Sequence, residues 1–134
     1  MERITAVIER GQDGLYSIYI EDKSYPYGIL GTGSNVTKAM EDFRAGYDEM
    51  KDYIESTGET FVPAEFVFKY DVPSFLQEFA YAFSLAGLER ITGVNQKQLG
   101  HYISGYRHPS RRTVRKIETA IHTFCEQLSA VRFL

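Results

Sequence analysis

The chain of 134 residues has a single cysteine, no tryptophan and four prolines. One cysteine, Cys125, builds neither a disulfide framework nor a cysteine zinc site, and its scarcity fits a reducing compartment. Because Cys125 lies within a helical apolar pattern, it is expected to be a small core residue. Long apolar runs are missing as well. None approaches the ~18 residues that span a bilayer, so no membrane association is expected. Glu2, Arg3, Glu9, Arg10 and Asp13 break up the first twenty positions. No signal peptide is read there, and the expected location is cytoplasmic. His101, His108 and His122 are scattered rather than set at metal-ligand spacing, and no HExxH pattern, phosphate-binding glycine loop or Ser/His/Asp grouping is visible. These patterns argue against an enzyme: no catalytic residue, metal or cofactor is assigned.

What is present suits one compact domain or two small ones. Hydrophobic residues make up 43% and charged residues 25%, and ten Tyr and nine Phe supply bulk for small cores. Charge divides the chain. Residues 1–70 hold 7 Lys/Arg against 13 Asp/Glu, whereas residues 71–134 hold 8 against 5. Two units with different partners are the expectation.

In the first unit, Ile4, Ala6 and Ile8 alternate, as do Tyr16, Ile18 and Ile20 beyond the turn Gly11–Gly14. That pattern predicts a β-hairpin. Ile29–Thr32 reads as a short third strand, which Gly31 and Gly33 weaken or end. Periodicity then turns helical through Val36, Ala39, Met40, Phe43, Tyr47, Met50 and Ile54, with Ser34 or Asn35 as N-cap and Gly58 as the stop. A solvated, mainly acidic face lies opposite. Glu65–Asp71 alternates again as a fourth strand. The reading is an α+β chain: a βββαβ domain over residues 1–72, then an all-α domain over 73–134. Open sheet edges make a homodimer or higher oligomer through the first domain the expected assembly.

In the second unit, Asp71-Val72-Pro73 starts a helix with Phe75, Leu76, Phe79, Ala80 and Phe83 as its apolar stripe. Ser84 caps a second helix, Leu85–Thr92. Gly93 breaks it, and Asn95 caps a third, Gln96–Ser104. This is a helix-turn-helix layout. A fourth helix, Arg111–Leu128, is read from Val114, Ile117, Ile121, Phe124 and Leu128 at helical spacing. Residues 88–122 hold 7 Lys/Arg against 2 Asp/Glu. The candidate DNA-binding set is Asn95, Gln96, Lys97, Gly100, His101 and Ser104 on the third helix, with Arg107, Ser110, Arg111, Arg112 and Thr113 around the start of the fourth. Amide and ammonium groups read base edges, Gly100 lets the helix sit deep in the groove, and arginines at a helix N-terminus suit phosphate. Glu89 stands where tight helix crossing usually takes Ala or Gly, which suggests a looser crossing or a shifted helix start.

The segments ITAVIERGQDGLYSIYIED and GTGSNVTKAMEDF resemble the N-terminal domain of HicB-type antitoxins of bacterial type II toxin–antitoxin systems. LERITGVNQKQLGHYISGYRHPSRRTVRKIETAI resembles the Xre/Cro-like helix-turn-helix found on many of them. The likeness covers residues 3–72 and 74–122, although KSYPYG lacks the P-x-x-P-G run usual after strand two. The resemblance implies a partial RNase H-like first domain without catalytic carboxylates. It also implies a HicA-like ribonuclease toxin as partner and an autorepressor that binds an inverted-repeat operator. The acidic first unit would complement a basic toxin, with strand tyrosines as interface anchors. Two alternatives stand beside it. One is a phage or mobile-element regulator without a toxin. The other is a remnant nuclease, for which Glu9, Asp13, Glu21 and Asp22 are the only dense carboxylates.

Overall fold

A computed structural model describes residues 1–134, a mixed α+β chain in which a four-stranded sheet is followed by helices, five helices in all. The division between two compact units falls between Ser74 and Phe75.

The alternation in Ile4, Ala6 and Ile8 puts one face of β1 (Glu2–Arg10) inside, and all three are buried. Strand β2 (Tyr16–Ile20) pairs antiparallel with β1, Ile8 opposite Ile18, and β3 (Leu30–Gly33) pairs antiparallel with β2. Strand β4 (Ala64–Tyr70) returns parallel to β1, with Ile4, Ala6 and Ile8 opposite Phe66, Phe68 and Tyr70. The sheet order is therefore β3-β2-β1-β4. Between β3 and β4 the chain forms α1 (Val36–Ser56), whose N-cap Asn35 accepts from Lys38 N at 2.8 Å. Gly58, at φ 83°, follows the last turn. Ala39 and Phe43 of α1 are fully buried against the sheet, while Lys38, Glu41, Asp42, Arg44, Glu49, Lys51, Asp52 and Glu55 are exposed.

Gly31 does more than weaken β3. A Cβ there would meet Phe43 N at 2.4 Å and Ala39 O at 2.5 Å, both backbone atoms of α1, and Gly33 stands equally close at Ala39 N. The helix lies on this strand at a distance that only glycine allows. Between the two glycines, the Thr32 amide donates to Asp42 of α1 at 2.8 Å.

Several tyrosines of this unit bond its own backbone, while Tyr53 is exposed. The Tyr25 hydroxyl donates to Val62 O at 2.8 Å, Val62 N donates to the Tyr27 hydroxyl at 2.9 Å, and Ala64 N donates to Tyr47. Tyr27 stacks on Phe61 at 5.0 Å. Burial pushes the Tyr25 phenol up to about 12. On the opposite sheet face the Tyr19 hydroxyl donates to Glu9, and burial followed by that carboxylate raises it to about 12 as well.

The helix at the boundary between the units is shorter than its apolar stripe. α2 (Val72–Glu78), capped by Asp71 on Ser74 N, stops before Phe79, and successive turns carry the chain to Ser84. Leu76 is buried and Phe75, Phe79 and Phe83 are half-buried, but Ala80 is exposed. Apolar spacing alone does not extend a helix through a segment where the backbone bonds tighten to three-residue turns. α3 (Leu85–Thr92), α4 (Gln96–Ser104) and α5 (Arg111–Ser129) follow. Leu88, Val94, Leu99, Tyr102 and Ile117 are buried. Cys125, expected in this core, is exposed instead, because it lies beside the apolar stripe of α5 rather than on it.

Candidate nucleic-acid interface

Backbone and side-chain bonds together hold the segment joining α3 to α4. Ser84 caps α3 by accepting from Gly87 N, and Gly93 at φ 73° ends it in the left-handed conformation. The buried Thr92 hydroxyl donates to Leu88 O at 2.7 Å and accepts from Val94 N at 3.1 Å. This places Val94 inside. Asn95 then caps α4 by accepting from Lys97 N at 2.8 Å. Glu89, on α3, accepts from Gln96 N at 2.8 Å. Its carboxylate therefore sits at the positive end of α4, where a negative charge is favourable. Glu89 does not shift the start of α3, which begins at Leu85. It serves as a second cap for α4. Glu89→Ala is expected to lower the stability of the unit by about 1 kcal/mol, read as a shift in urea midpoint. An unchanged midpoint would remove this role.

The candidate residues do not all gather in one place. Asn95, Lys97, His101 and Arg107 line one cleft of about 370 Å³ together with Gln98. Gln96 and Lys97 are exposed, with their side chains on the first turn of α4. Arg111 and Arg112 are exposed at the first turn of α5, outside that cleft. The remainder have local tasks. Ser110 accepts from Thr113 N at 3.2 Å, and its hydroxyl bonds that of Thr113 at 3.1 Å, so the two together form the N-cap of α5. The Ser104 hydroxyl donates to His101 O. The Cβ position of Gly100 has Leu85 Cδ1 of α3 at 3.9 Å and no other neighbour within 4 Å. The half-buried Gln98 amide donates to the Tyr102 hydroxyl and is turned along the helix.

His101 is half-buried under the loop that follows α4. Gly105, at φ 79°, turns the chain, Arg107 N donates to His101 O, and the Tyr106 ring lies 4.9 Å from the imidazole. Arg107 in turn lies over the Tyr106 ring at 5.4 Å. Tyr106 is 70% exposed. The sequence reading passed over it, although a tyrosine flanked by glycine and arginine in a basic loop is a signal for stacking on a sugar or base. Lys116 was also missed: its ammonium lies 3.4 Å from the Cβ position of Gly93, so a cation from α5 reaches the turn between α3 and α4. Only the fold brings residues 93 and 116 together.

The first unit shows no comparable convergence. Asp13 accepts from Leu15 N. Asp22 accepts from Ser24 N, and the Ser24 hydroxyl followed by that amide holds its carboxyl below the usual carboxylate range. Glu9 is bonded to Tyr19. No three His, Cys, Asp or Glu side chains form a grouping that could hold a metal ion, and no helix is long and apolar enough to cross a membrane. No protein-family model, curated protein or solved structure matches the chain.

Proposed function

We propose that the chain is a DNA-binding antitoxin and transcriptional autorepressor whose second unit is a helix-turn-helix and whose first unit binds a basic, HicA-like toxin. One observation carries the DNA part. Glu89 of α3 bonds Gln96 N of α4, Thr92 holds Val94 in the turn, Asn95 caps α4, and Gln96 and Lys97 are exposed on α4. Arg107, Arg111 and Arg112 supply further exposed cations. In this reading Gln96 and Lys97 read base edges in the major groove, and the arginines hold phosphates. The backbone N–H groups of Arg111 and Arg112, in the open first turn of α5, add donors for an anion.

The toxin part rests on different support. The first unit is acidic, which speeds encounter with a basic partner. Its order β3-β2-β1-β4, with α1 preceding a parallel β4, suits the partial RNase H-like reading. The test is co-purification with the product of the adjacent gene, followed by titration of the DNA upstream of the chain's own gene. The expected results are a stable protein pair and sequence-selective retention of that DNA. Equal affinity for scrambled DNA at all salt concentrations would remove the regulator. Absence of a bound partner would leave a regulator without a toxin.

A further inference from the structure

We infer that two copies of this chain pair antiparallel through β4, about a two-fold axis beside Val67, so that two four-stranded sheets join into one. The strand pattern predicts pairing at an open edge; the fold says which edge and in what register. β4 is the outer strand beside β1 and, at seven residues, the longer of the two margins. Just past it, Asp71 N donates to Ile8 O of β1. Backbone groups along a strand alternate in direction. Glu65, Val67 and Lys69 therefore point their N–H and C=O groups at β1, and Phe66 and Phe68 point theirs into the open margin. Ala64 N, of the same set as Phe66, accordingly donates to the Tyr47 hydroxyl and not to β1.

Set against itself in reverse about Val67, the strand is self-complementary, as a two-fold contact requires. Phe66 of each copy stands opposite Phe68 of the other. These two residues carry the outward backbone groups, so they exchange N–H···O bonds across the axis. Glu65 stands opposite Lys69. Both are exposed, on the sheet face away from α1, and opposite charges directly across a ladder attract. Other registers lose this match. A shift by two residues one way sets Glu65 against Val67; the other way it sets Glu65 against Asp71. Parallel pairing in register sets like against like. On the α1 face, Phe66 and Phe68 are half-buried beside an open groove of about 440 Å³, lined also by Phe43 and Tyr47. α1 lies closest to β3, at Gly31 and Gly33, so its cover of Phe66 and Phe68 is partial. The crossed phenylalanine pairs bring two further rings to this edge, where aromatic contacts between strands are favourable.

Sedimentation of the full chain and of charge-reversed variants tests the inference. The unsubstituted protein is expected to be a dimer at micromolar concentration. Glu65→Lys and Lys69→Glu, both at exposed positions, each set like charges against one another on both sides of the axis and are expected to raise the dissociation constant about tenfold or more. The double variant restores attraction with the signs exchanged and is expected to return to within about threefold of the unsubstituted chain. Glu41→Lys, an exposed reversal on α1, is expected to leave the constant unchanged. In a chain carrying Cys125→Ser, Val67→Cys is expected to form a disulfide between copies on oxidation, because residues facing each across the axis without exchanging hydrogen bonds stand about 4.5 Å apart at Cα. Circular dichroism of each variant separates lost pairing from lost folding. A monomeric unsubstituted chain, single reversals without effect, a folded double variant no tighter than the single ones, or a folded Val67→Cys chain without a cross-link would overturn the pairing. β4 and the candidate DNA interface belong to different units. A dimer that answers the reversals as expected but binds no DNA would therefore support the pairing and overturn the DNA reading alone.

Discussion

Replacing Arg111 and Arg112 together by alanine is expected to weaken binding to every DNA sequence alike and to reduce the salt dependence by about 1.8 in log–log slope, two phosphates at about 0.9 each. Across a fourfold rise in salt the unsubstituted chain should then lose about twelvefold more affinity than the variant. The substitution should leave sequence preference in place, because phosphate contacts position the protein without reading bases. Gln96→Ala is the counterpart. It should relax preference at one position by about 1–3 kcal/mol and leave the slope as it was. Both arginines are exposed, and the cap of α5 is made by Ser110 and Thr113. The double variant therefore should fold. An unchanged slope would show that these arginines meet no phosphate.

The second large effect concerns the first unit. Gly31→Ala is expected to destabilise it by about 3 kcal/mol or more, because the added methyl meets Phe43 N, Ala39 O and Phe43 Cα, all at 2.6 Å or less. Those atoms belong to a helix backbone, so no side-chain rotation relieves the contact. α1 would have to move away from β3, loosening Ala39 and Phe43 from the core. Gly28→Ala is the control. Its Cβ position has nothing within 4 Å and its φ is not positive, so its urea midpoint should stay near that of the unsubstituted chain. Equal midpoints for the two variants would mean that the helix does not lie as close to the strand as described.

Much of the architecture was legible because it follows from short-range periodicity. Alternation placed Ile4, Ala6, Ile8 and Ile18 inside, and caps at Ser34 or Asn35, Ser84 and Asn95 marked where three of the helices begin. The features that escaped all depend on neighbours distant in sequence. Gly31 looks like a strand breaker until α1 lies across it. Glu89 looks like an obstacle to helix crossing until Gln96 N turns to meet it. Cys125 and the apolar stripe of α5 suggested a filled core, but this unit is small and covers only the first part of that helix. At the candidate interface, residue type and spacing marked out Gln96, Lys97, Arg107, Arg111 and Arg112. They did not show that Ser104, Ser110 and Thr113 are committed to local bonds, nor that Tyr106 and Lys116 stand near the same surface.

The bond from the Thr32 amide to Asp42 has a consequence for how copies of this chain avoid one another. β3 is four residues long, and one of its outward-facing donors is already occupied by the chain's own helix. A foreign strand arriving at that flank finds a short ladder with a missing rung. Uncontrolled cross-β stacking, the hazard of any unclosed sheet, is thereby discouraged at one of its two margins, and β4 is left as the margin where fibril growth would have to start.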